Sequence, residues 1–121
     1  MNSGSFECEV VNGLVWLRMH GYITPAIGDQ IMTQAIETAK SSDCRLMLFD
    51  MRDAELGESV ANLYVRPGMA EAMGYDRTHK SAMLCAATDD KTDFLEMVSK
   101  NRGFQFRVFT DEAECVAWLT S

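Results

Sequence analysis

Hydrophobic and polar positions change period several times along this 121-residue chain, and each change marks an element. Phe6 to Val11 and Leu14 to Met19 mix apolar and polar residues on either side of Asn12-Gly13. That dipeptide accepts positive φ at both central positions of a two-residue turn, so the pattern predicts a β-hairpin. Thr24-Pro25 then supplies an N-cap followed by proline at the first helical position. Ile27, Ile31, Met32, Ala35, Ile36 and Ala39 recur at intervals of three and four, which predicts an amphipathic helix to about Lys40. The short apolar run Arg45 to Asp50 reads as a buried parallel strand.

Residues 51–58 are polar and are expected to form a loop. From Ser59 a helical period returns through Val60, Leu63 and Tyr64, and Pro67-Gly68 interrupts it, so a broken helix ending near Gly74 is expected. Ser81 to Ala86 reads as another buried strand. Phe94, Met97 and Val98 mark a helix, with Lys100, Arg102 and Gly103 signalling its end. Phe104 to Phe109 reads as the last strand, and Thr110-Asp-Glu-Ala-Glu caps and charges the start of a final helix carrying Cys115, Trp118 and Leu119. The order is β-β-α-β-α-β-α-β-α, an α/β fold with a mostly parallel sheet and an antiparallel N-terminal hairpin strand at or near an edge. Ligands and partners of such sheets gather beyond the C-terminal ends of the parallel strands. Here that rim holds His20 to Tyr22, Asp50 to Asp53, Thr88 to Asp90, and Thr110 to Asp111.

The length suits one domain over residues 1–121. With 47% hydrophobic and 24% charged residues, the composition is that of an ordinary globular protein. No run approaches the roughly 20 apolar residues that span a bilayer, so no membrane insertion is expected. Met1 to Ser5 has neither the basic start nor the apolar core of a secretory signal, which points to the cytoplasm. The formal charge of −7, from 18 acidic and 11 basic residues without a basic run, makes nucleic acid and anionic membrane poor partners. Cys8, Cys44, Cys85 and Cys115 are too widely spaced for a metal site and read as buried apolar thiols.

The stretch Phe94-Leu-Glu-Met-Val-Ser-Lys-Asn-Arg-Gly-Phe-Gln-Phe-Arg-Val-Phe-Thr-Asp-Glu-Ala-Glu-Cys-Val-Ala-Trp-Leu119 resembles the STAS-like domains, specifically the bacterial SpoIIAA-like branch related to anti-sigma-factor antagonists. A helix ending in Asn-Arg-Gly, a strand ending in Val-Phe and a last helix ending in Trp-Leu recur there in this order, and the element order of the whole chain agrees. The resemblance implies a SpoIIAA-like (STAS) fold and a non-catalytic regulatory domain that binds another protein, with no cofactor and no metal. In the antagonists a serine in an Asp-Ser-Ser-Gly stretch, at the start of the helix after the third strand, is phosphorylated. The equivalent position here falls at Glu58-Ser59, where Val60-Ala61 replaces the second serine and the glycine. Ser59 is therefore both a candidate regulatory phosphorylation site and an ordinary helix cap.

Glu58, Tyr64, Met69, Met73 and Tyr75 concentrate in the segment after the third strand and form the candidate partner-binding set, since methionine repacks around different apolar partners. Asp50, Asp53, Asp89, Asp90 and Asp111 would line the strand-end rim. Acids favour helix N-termini, and this explains them without Mg²⁺ or acid/base chemistry. A phosphoaspartate receiver is excluded because the acidic pair after the first strand and the lysine after the last are missing. His20 and His79 have no neighbouring nucleophile and read as polar caps of the sheet, so no enzyme is expected. The alternative function is a carrier or sensor of a small apolar, lipid-like ligand held between helices and sheet. An uncovered hairpin edge or helix face would also suit a homodimer.

Overall fold

A computed structural model describes residues 4–121; most of the segment inspected for a secretory signal, residues 1–3, lies outside them. Asn12 (φ 50°) and Gly13 (φ 80°) take the left-handed backbone that their turn requires. They join strand β1 (Ser5–Val11) to β2 (Leu14–Ile23) in an antiparallel pair in which Val11 faces Leu14. Helix α1 (Pro25–Ser41) starts where Thr24 Oγ1 accepts from the Ile27 N–H, and it leads into β3 (Leu46–Leu56). Helix α2 (Val60–Ala72), β4 (Lys80–Leu84), α3 (Asp90–Asn101), β5 (Gln105–Phe109) and α4 (Glu112–Leu119) follow. The five strands lie in chain order, β1 at one edge and β5 at the other, and every pair after β1–β2 is parallel. The element order and the mixed sheet are those expected of the SpoIIAA-like fold.

Strand alternation divides the interior into two cores. Val15, Leu17, Met19, Met47 and Met83 face α1, α2 and α3. Leu14, Trp16, Leu48, Ala82 and Leu84 face the other way, where Cys115 and Leu119 of α4 cover them. Crossovers between neighbouring parallel strands share one hand, so successive helices fall on the same side of the sheet, and only the helix after the last strand reaches the opposite face.

Several boundaries differ from expectation. The expected loop at 51–58 is mostly strand, because β3 continues to Leu56 beside an equally extended β2, with His20 facing Asp53, Tyr22 facing Glu55 and Ile23 facing Leu56. Backbone pairing with β2 outweighs the polarity of Arg52, Asp53 and Glu55, whose side chains lie at the surface. β4 pairs with β3 only over Leu46–Asp50, so the outer half of β3 has a single strand neighbour, and Cys85 and Ala86 fall beyond β4. Helix α2 is one piece, with Pro67 inside it. The ring withholds a single N–H from the Leu63 carbonyl and is itself buried against the core, and that packing carries the helix past the gap. Cys8 and Cys44 are half-buried instead of fully enclosed.

Candidate functional site

Helix α2 presents two apolar faces, and only one is covered. Val60 and Tyr64, four positions apart, are neighbours on the helix surface and both exposed, Tyr64 at 63%, whereas Leu63, about 100° round the helix from Tyr64, is fully buried. Val60, Val65 and Met69 are exposed beside Tyr64, so four of the six large exposed hydrophobics among the described residues stand on this helix. Soluble proteins ordinarily turn the polar face of a helix outward. At the head of the same face Ser59 is exposed, and its Oγ accepts from the Asn62 N–H at 3.2 Å as the N-cap.

The covered face of α2 roofs a cavity of about 150 Å³ between the sheet and helices α1 to α3. Met19, Met32, Met47, Met51 and Met83 line it together with Leu63 and Pro67, and the walls are almost wholly carbon and sulfur. At one wall the Tyr75 hydroxyl and Ser81 Oγ are 2.7 Å apart, and the Tyr75 ring stacks on His79 with centroids 4.8 Å apart.

An ion pair between buried Glu58 and half-buried Arg66 lines the other end. Arg66 Nε donates to Glu58 Oε1 at 2.8 Å, and its Nη2 donates to Glu58 and, at 3.0 Å, to the Pro25 carbonyl. Its Nη1 reaches Asp29 Oδ1 at 2.5 Å, so one side chain ties α2 to the start of α1. Burial works against the Arg66 cation, and the hydrogen bonds to Glu58 and Asp29 more than offset it, holding its pKa above the ordinary range. Gly28 makes the room: a Cβ there would lie 2.8 Å from Arg66 Nη2.

Of the expected partner-binding residues, Tyr64 and Met69 lie on the exposed face. Met73 is half-buried against the core. Glu58 and Tyr75 are interior, at 4% and 6% exposure, and form no part of that surface. Glu58 is drawn in by Arg66, and Tyr75 by its stacking on His79 and an edge contact with Phe104. Sequence reasoning missed Arg66, because its partners lie 8, 37 and 41 positions away and no local spacing links them.

The carboxylates expected at the rim have separate structural duties. Asp50 is buried, accepting from Trp16 Nε1 at 3.4 Å and from Arg52 Nε and Nη2 at 3.0 and 2.7 Å, while Arg52 also reaches Glu112 at the start of α4. Burial alone would raise the Asp50 pKa, but the Arg52 bonds and charge and the Trp16 bond bring it below the ordinary value. Asp89 and Asp111 are the N-caps of α3 and α4, Asp90 opens α3, and Asp53 is exposed on β3. Among the described residues no three of His, Cys, Asp or Glu converge as a metal site would require. Burial pushes the thiols of Cys85 and Cys115 up to about 11, so neither is a ready nucleophile at neutral pH. His20 is bound to Glu7 at 2.9 Å and lies inside β2, which runs on to Ile23, so it does not cap the sheet as expected; buried His79, just before β4, is bound to Asp76 at 3.0 Å.

No protein-family profile matches the sequence, and no curated protein is similar to it. Solved structures do share its fold. An anti-sigma factor antagonist from Mycobacterium paratuberculosis superposes with a TM-score of 0.65 at 12% identity, over 98% of this chain and 96% of that one. An uncharacterised DUF3478-family protein with a SpoIIAA-like fold from Shewanella loihica gives 0.61 at 16% identity, over 98% of each chain. The anti-sigma factor antagonist SpoIIAA, solved in its unphosphorylated form, gives 0.58 at 16% identity, over 97% of this chain and 99% of that one. The antiparallel hairpin, the parallel strands in chain order and the alternating helices, matched over nearly the whole length, are the SpoIIAA-like fold.

Proposed function

We propose that this protein is a non-catalytic, cytoplasmic regulatory domain that binds another protein through the outer face of α2. The observation that carries the reading is the gathering of Val60, Tyr64, Val65 and Met69, all exposed, on one helix. The solved relatives named as anti-sigma factor antagonists favour a partner of the anti-sigma-factor kind. Ser59 would be the regulatory position: a phosphate there meets the positive end of the α2 dipole, one residue from the apolar face, and adds about two negative charges where a partner would dock. The test is direct binding of purified wild type, Tyr64→Glu/Met69→Glu and Ser59→Asp to a partner first isolated from the native cell. The double variant should lose at least tenfold in affinity with its fold intact. Unchanged affinity in the double variant would remove α2 from the interface, and unchanged affinity in Ser59→Asp would remove the switch. Sedimentation of the free chain separates this reading from a homodimer formed through the same face.

The cavity beneath α2 favours a second reading, in which the domain carries or senses a small apolar ligand. Native mass spectrometry of protein purified from its own cell tests it, since a bound molecule appears as a discrete mass increment lost on denaturation.

A further inference from the structure

We infer, resting on that second reading, that the cavity suits a compact, uncharged aromatic molecule bearing one hydroxyl or N–H, of the phenol or indole class, and not a long acyl chain. Size argues first. A volume of about 150 Å³ equals that of a protein cavity that takes up benzene or xenon, and it would enclose only a small part of an extended acyl chain. Wall chemistry argues second. Five methionines, Met19, Met32, Met47, Met51 and Met83, line the space, and thioethers both adapt their shape and make favourable contacts with aromatic rings.

Charge argues third. Arg66, the one cation in the wall among the described residues, already holds Glu58, Asp29 and the Pro25 carbonyl. A ligand carboxylate would have to displace Glu58 and leave that acid buried without its partner, which disfavours fatty acids by their head as well as their length. Polarity argues last. The bond between the Tyr75 and Ser81 hydroxyls uses one O–H and one lone pair, so the pair keeps one O–H and further lone pairs with which to meet an O–H or N–H of a ligand. A wholly apolar pocket would refuse that group, whereas this wall can accept it.

The test is NMR of the full chain carrying ¹³C-methyl methionine, titrated separately with phenol, indole, benzene and hexadecanoate. Phenol and indole should saturably shift the methyls of Met19, Met47 and Met83, leaving exposed Met69 and Met97 unmoved. Ala35→Leu and Ala70→Leu fill the space from α1 and from α2 respectively, so a folding failure in one leaves the other to decide; either should abolish the shifts. Ser81→Ala should reduce the preference for phenol over benzene roughly fivefold, the worth of one hydrogen bond. Hexadecanoate binding without phenol or indole would overturn the ligand class while leaving the second reading standing. Silence from all four probes would overturn both, and shifts that persist in both filled variants would place binding outside the cavity and overturn the inference.

Discussion

Arg66 and Glu58 meet inside the protein although Glu58 precedes α2 and Arg66 lies in its middle, with Nε to Oε1 at 2.8 Å and both side chains nearly sealed from solvent. Removing one member of such a pair leaves the other charge buried alone. Arg66→Ala is expected to lower stability by about 3 kcal/mol or more, whereas Glu58→Leu with Arg66→Met should recover most of the loss. Urea unfolding of the three chains measures it, and equal losses in the single and double variants would contradict the account.

Gly28 tests the same contact from the α1 side. Alanine is favoured over glycine within a helix by about 1 kcal/mol, yet a Cβ here would press on the Arg66 guanidinium at 2.8 Å and on Glu58 Oε1 at 3.3 Å. Those atoms already make the Pro25, Asp29 and Glu58 contacts, so they have no equivalent place to go. Gly28→Ala should therefore lower the melting temperature in spite of its helix preference.

Ser59→Ala removes the acceptor for the Asn62 N–H and should cost about 1 kcal/mol. Ser59→Asp keeps an acceptor there and places a negative charge at the helix start, so its stability should stay within about 0.5 kcal/mol of wild type. Thermal unfolding of both separates the capping role of this side chain from any effect of charge on binding.

Asp50 should make the protein sensitive to acid. Its carboxyl is more acidic when folded than unfolded, because the Arg52 and Trp16 contacts outweigh the opposing effect of burial. The unfolded chain therefore binds more protons at this site between the two pKa values. The stabilisation is present above the unfolded value of about 4 and is lost as pH falls through the lower folded value. Stability measured by urea between neutral and strongly acid pH should fall less steeply in Asp50→Asn than in wild type. At neutral pH the variant should be less stable by about 1–3 kcal/mol, the worth of hydrogen bonds to a charged group.

What could be read from the residues is what neighbours in the chain decide. Asn12-Gly13 specifies its turn alone, Thr24-Pro25 its helix start, and Asn101-Arg102-Gly103 its helix end with Gly103 at φ 86°. The strand at Met51–Leu56 was hidden, because its polar residues form a strand only through β2, some thirty positions earlier. Glu58 and Tyr75 were misplaced at the surface for a similar reason: the groups that bury them are Arg66, His79 and Phe104, and packing brings those groups near. The candidate site was half legible. Tyr64, Met69 and Ser59 stood out by residue type, while the cavity, built by four strands and three helices at once, had only the abundance of methionine to signal it.

The second core has a consequence for synthesis on the ribosome. Leu14 and Trp16 are made near the start of the chain, and the α4 residues that cover their face, Cys115 and Leu119, are made about a hundred residues later. Before α4 docks, α1, α2 and α3 can settle on their side while Leu14, Trp16, Leu48, Ala82 and Leu84 face solvent on the other. A folding chain therefore passes through a half-covered sheet until α4 docks, and the uncovered face of Leu14, Trp16, Leu48, Ala82 and Leu84 is what a chaperone has most to shield.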